Sequence, residues 1–272
     1  MPTINSAQLS VLLEPSAEGL EYGACFMQQL TAQAQQKAVA AVFVQGYTPD
    51  ADNTLATLDP PIFYGLSHGS PCQFNNYLTA KWSGSVYIPG EGMVDFKCFA
   101  DKNLEKMKGR HVHLLSCLCG IALGGALIKA GARSFVGYSQ VAVYGVYVSG
   151  YSEPSPCEPP DDNRDFYTFI DSDIEGMRKI LLENTTVGEA VNAIIAKYKY
   201  YIDKYERGEW KDRPIATDAS LCLRWNLQYL TALGDMNWRP LTMTTVRPKT
   251  MLIGMPAVSF VGALAIATTK KY

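Results

Sequence analysis

Short apolar runs recur along this chain with helix-like stretches between them, and that alternation limits its fold more than any other feature. Gln8–Leu13, residues 38–44, Ile62–Leu66, residues 111–116 and Ser134–Tyr138 are each five to seven residues long. Runs of that length, bounded by turn residues, read as buried strands and not as helices. Pro60 and Pro61 stop any helix from entering the third run. Residues 16–37, with Ser16 as N-cap, and residues 121–129, stopped by Gly131, read as helices. Strand, helix and strand in close succession imply a parallel sheet. Residues 72–99, rich in aromatics and glycine, alternate at 85–88 and around 93–96, which predicts a hairpin or an irregular excursion beside the sheet. Residues 151–164 hold four prolines and four acids and read as an exposed loop. Helices are expected over 166–183, 187–205 and 218–233. No repeat or linker interrupts the first 233 residues, so a domain over 1–235 is expected, followed by an apolar tail over 236–272.

The formal net charge of −2 carries no basic surplus, so nucleic acid is not an expected partner. Seven cysteines, odd in number and irregularly spaced, do not form the pattern of a secreted disulfide framework. With no basic, then apolar, leader at the N-terminus, a reducing cytoplasmic location is expected. Residues 250–269 form an uncharged run of 20 closed by Lys270 and Lys271. One or two buried strands are the preferred reading, and a membrane segment through this tail is the alternative.

His68, one of three histidines, follows an apolar strand and precedes Gly69. Cys117 stands at the end of a later strand. The carboxyl ends of strands in an open parallel sheet converge on one edge, so the two can face each other across a cleft. A thiol attacks a carbonyl as its thiolate, which an imidazole or a helix N-terminus promotes. His68 would supply the first, and a helix starting near Gly120 would aim its amides at the sulfur. Cys119 is the rival nucleophile, although a place under the first helical turn suits it better. His111 and His113, with Cys117 and Cys119, raise the question of a metal; a strand running straight into a helix does not fold these side chains into a tetrahedron, so no metal and no cofactor is expected.

The segments IFYGLSHG and HVHLLSCLCG, separated by 49 residues from histidine to cysteine, resemble the paired motifs of caspase-like cysteine peptidases. GGALIKAGARSFVGYSQ, TTVGEAVNAIIAKY and LRWNLQYLTALGD are similar to later segments of the gingipain and separase-related branch. The resemblance implies a three-layer α/β/α caspase-like fold with a mostly parallel central sheet. It implies a cysteine endopeptidase acting on protein or peptide substrates, with Cys117 as nucleophile, His68 as base, and the backbone amides of Gly69 and Cys117 holding the oxyanion. The Gln-Ala-Cys-Arg-Gly sequence of caspases is absent, which argues against strict aspartate specificity. A preference for a basic residue before the cleaved bond would draw on Glu91, Asp95, Asp161, Asp162 or Asp165, the acids on candidate cleft loops. Control by an activating partner, a small ligand or processing at Arg164 is expected of such an enzyme. Two other readings are a catalytically silent scaffold that binds a partner, and a protease tethered to a membrane by its tail.

Overall fold

The computed structural model describes residues 8–13, 21–37, 39–45, 48–74, 77–81, 83–88, 92–97, 101–142 and 167–240. Its centre is a six-stranded sheet. The strands are β1 (Gln8–Leu13), β2 (Ala40–Gln45), β3 (Ile62–Leu66), β9 (His111–Leu115), β10 (Ser134–Tyr138) and β11 (Leu230–Gly234), lying in the order β11-β10-β9-β3-β1-β2. All pairings are parallel except that of β10 with β11. A short ladder of β4 (Gly69–Ser70), β5 (Gln73–Phe74) and β6 (Leu78–Thr79) follows β3, and β7 (Ser83–Ile88) with β8 (Gly92–Lys97) forms the expected hairpin.

Every residue of β3, β9 and β10 is buried, as a sheet covered on both faces requires. Alternation divides their side chains between two apolar clusters. Ile62, Tyr64, Leu66, Leu115, Val136 and Tyr138 pack with helices α1 (Glu21–Gln36), α4 (Tyr167–Glu183), α5 (Val187–Glu206) and α6 (Ala216–Tyr229). Phe63, Val112, Leu114 and Phe135 pack with α2 (Thr48–Leu58), a 3-10 turn at Leu104–Met107, and α3 (Leu123–Lys129). The fold is therefore mixed α/β with a mostly parallel sheet, as the apolar runs implied.

Helix α5 shows how local chemistry sets these boundaries. The Thr186 hydroxyl accepts from the Glu189 amide while the Glu189 carboxylate accepts from the Thr186 amide, a reciprocal capping box. Buried residues then recur at helical spacing, including Val187, Ala190, Ile194 and Tyr198. The chain beyond β11 stays docked here, because the Val187 and Gly188 amides donate to the carbonyls of Trp238 and Met236.

Three expectations need correction. The helix predicted over 218–233 stops at Tyr229, and its last residues form β11 against the open edge of β10. Residues 48–53, whose polar composition on its own predicts a turn, begin α2, with Pro49 in its first turn, where no amide donor is required. Cys25 and Cys72 are each disulfide-bonded, so the cysteines are not uniformly reduced and the argument for a reducing compartment loses its basis. Among the described residues no helix is long and apolar enough to cross a membrane; 250–269 lie outside them.

Candidate active site

Strands β3 and β9 are neighbours, and their register runs from Ile62 opposite His111 to Leu66 opposite Leu115. That offset of 49 residues equals the separation of His68 from Cys117. Each of the two lies two residues beyond the last ladder pair, on strands about 5 Å apart. The ladder extends one step further, since the Ser67 amide donates to the Leu115 carbonyl. The next contact is closer. A Cβ on Gly69 would lie on Ser116 Oγ, 2.5 Å from the Cys117 carbonyl oxygen and 2.7 Å from Cys119 Sγ. Only glycine lets the main chain after His68 approach Cys117 this closely.

His68 is exposed and Cys117 half-buried. The Cys117 thiol points toward the Ala142 carbonyl at 4.0 Å. Leu118, directly after it, has a left-handed backbone with φ of 62°, which a leucine adopts only at a cost of order 1 kcal/mol. Cys119 is fully buried in the apolar cluster with α3, its thiol donating to the Gln73 carbonyl. Burial pushes that thiol up to about 12, which disfavours its thiolate.

The expected helix N-terminus behind the sulfur is not available. Residues 117–122 form turns, and α3 starts at Leu123. The Ala122 and Leu123 amides donate to the Pro71 carbonyl, Gly124 to Cys119 and Gly120 to Tyr138, so these donors are already used. Gly120 is required for packing on β10, where a Cβ would come 2.9 Å from the Tyr138 carbonyl carbon and the Ser139 nitrogen.

Residues 139–142, at the carboxyl end of β10, form a second side to the site that the sequence reading did not single out. The Gln140 carbonyl accepts from the Leu118 amide, and the Tyr229 carbonyl accepts from the Ser139 amide. The Trp225 indole donates to the Val141 carbonyl at 2.9 Å, and its ring sits 4.6 Å from that of Tyr229. Their place at a third parallel strand end is the signal that could have found them. Asp95 lies on β8 opposite Ser85, whereas Glu91, Asp161, Asp162, Asp165 and Arg164 lie outside the described residues.

Both remaining histidines are in the core, on one face of β9. Burial lowers His111 to about 3, and its Nδ1 lies 2.9 Å from Ser134 Oγ. His113 Nε2 lies 3.1 Å from Asp173 Oδ1, and the Tyr64 and Tyr138 hydroxyls donate to the same carboxylate at 2.7 and 2.6 Å. Burial opposes charge on Asp173, but His113 and the two hydroxyls outweigh it and hold the group below the ordinary carboxylate range. Among the described residues no group of three or more histidine, cysteine or acidic side chains is placed to hold a metal. No protein-family model matches this sequence, and no curated protein compared with it does.

Proposed function

We propose that this chain is a cysteine endopeptidase with a three-layer caspase-like fold, in which Cys117 and His68 form the catalytic dyad. The observation that carries the reading is the shared offset of 49: the register of β3 on β9 brings to one edge the two side chains that the motifs select. Helices against both faces of a mostly parallel sheet support the fold. An exposed histidine and a half-buried cysteine at neighbouring strand ends, with the rival Cys119 sequestered, support the chemistry.

In this mechanism the Cys117 thiol gives its proton to His68, and the resulting thiolate attacks the scissile carbonyl carbon. A C–S bond forms, and the carbonyl electron pair moves to oxygen, where the amides of Gly69 and Cys117 stabilise it. As the tetrahedral species collapses, the C–N bond breaks and His68 protonates the departing amine. Water then attacks the thioester, giving a proton to His68, and the second collapse releases a carboxylate and the thiolate. No cofactor is needed. Substrates are extended or unfolded protein segments, with a basic first position favoured if acids of the 151–165 region reach the cleft.

A positional library of fluorogenic peptides tests this with wild type, Cys117→Ala, His68→Ala and Cys119→Ala. Turnover is expected to fall at least about a thousandfold in the first two variants and to persist in the third. Equal turnover in all four would sink the assignment, and the same library reads the first-position preference.

A further inference from the structure

We propose that Asp173 is a positioning residue for the site: its carboxylate ties together the three consecutive strands whose ends carry His68, Cys117 and residues 139–142. The proposal rests on the peptidase reading for what is positioned, and on the hydrogen bonds for how.

Asp173 comes from α4 and is fully buried. Its Oδ2 accepts from Tyr64 on β3, and its Oδ1 meets His113 on β9 and Tyr138 on β10. Tyr138 also lies 2.9 Å from the Tyr198 hydroxyl of α5, so the carboxylate is anchored to a second helix through it. Tyr64 and His113 face each other in the ladder, and each stands four residues before its half of the dyad. Tyr138 immediately precedes the segment that borders Cys117 on the other side. The tethers on β3 and β9 thus act at one height, roughly 13 Å below the reacting groups at 3.3 Å per residue, and Tyr138, two residues beyond the Val136 that pairs with His113, reaches the carboxylate from higher on β10.

Burying a carboxylate is costly, and an apolar side chain of similar volume fills such a place at least as favourably. The polar cluster has one ability that an apolar contact lacks: it accepts only one relative setting of the strands. Leucine or phenylalanine packing tolerates a shift along the strand, whereas three hydrogen bonds to two oxygens do not. A slip of one residue between β3 and β9 would displace His68 along the strand by about 3 Å relative to Cys117 and reverse the side-chain faces. Register here is therefore a property of the site as well as of the core.

The test follows geometry as well as turnover. In a His68→Cys background the introduced thiol should form a disulfide with Cys117, since neighbouring strands hold Cα atoms within bonding range. Peptide-resolved mass spectrometry follows the rate of that bond under a glutathione couple. Adding Asp173→Asn or Tyr64→Phe should slow it about tenfold. Ile194→Val and Ile194→Ala, which bracket the stability loss from α5 without touching the tethers, should leave it unchanged. In the otherwise native protein, Tyr64→Phe should lower kcat about tenfold with KM within twofold, and Tyr138→Phe should mainly raise KM. Rates and constants that track melting temperature alike in tether and Ile194 variants would overturn the proposal. If wild type cleaves nothing but the disulfide rates still separate, the peptidase reading fails and the positioning role stands. If the His68→Cys protein never forms the bond while wild type cleaves the library in a Cys117-dependent way, the positioning role falls and the peptidase reading stands.

Discussion

Replacing Gly69 with alanine places a methyl group where the chain after His68 crosses Cys117. The added carbon would lie on Ser116 Oγ, 2.5 Å from the Cys117 carbonyl oxygen and 2.7 Å from Cys119 Sγ. The serine hydroxyl can rotate away; the carbonyl is main chain and cannot. Ordinary contact needs 3 Å or more, so the backbone at Cys117 must retreat by about 0.5 Å or His68 must be carried outward. Overpacking of this kind costs about 2 kcal/mol. Misplacement on this scale at a nucleophile lowers kcat by roughly tenfold to a hundredfold. Urea unfolding and peptide turnover measure the two effects separately. Adding Ser116→Ala should restore part of the stability, by removing the hydroxyl, but little of the activity, because the carbonyl contact remains. A Gly69→Ala protein that loses less than about 0.5 kcal/mol and keeps its kcat would refute the side-by-side placement of His68 and Cys117.

Two further outcomes follow from buried groups. His111 titrates near 6.5 when unfolded and at about 3 in the fold, so on acidification the unfolded chain takes up a proton that the native one refuses. Stability should fall by about 2 kcal/mol between pH 7 and pH 5 through this residue, a loss absent from His111→Gln in urea titrations at the two pH values; parallel losses would refute it. Because Cys25 and Cys72 are disulfide-bonded, the unfolded, unreduced protein should react with a thiol reagent at fewer than seven cysteines, and prior reduction should lower its melting temperature. Seven reactive thiols without reductant would contradict the structure.

The strands that lead to His68, Cys117 and residues 139–142 were legible because each is a short, mostly apolar run with clear punctuation: Pro60 and Pro61 before β3, Gly109 before β9, Gly131 before β10. Strand β11 was not, since Leu230 to Gly234 (LTALG) continues the apolar spacing of the helix before it. What makes it a strand is the unpaired edge of β10, a partner more than ninety residues away in the chain. Likewise the side of the site formed by 139–142, Trp225 and Tyr229 depends on tertiary hydrogen bonds that no local pattern announces. Asp173 left a trace that could have been followed: it falls four residues after Phe169 and four before Met177, on the buried stripe of α4, where a charge has no place unless something pairs with it.

The parallel ladder between β3 and β9 bears on how this chain can change over time. The two strand ends are aligned by hydrogen bonds between strands, so the length of chain that leaves β3 and returns at β9 has no direct say in where His68 and Cys117 stand. Pro71 and Gln73 are committed, because their carbonyls receive the amides that start α3 and the Cys119 thiol. The hairpin of β7 and β8 lies beyond those anchors. Doubling a flexible loop costs only about 0.6 kcal/mol in closure entropy. Insertions at the hairpin tip can therefore accumulate, and a new recognition surface can grow there, while the distance between thiol and imidazole stays as the sheet sets it.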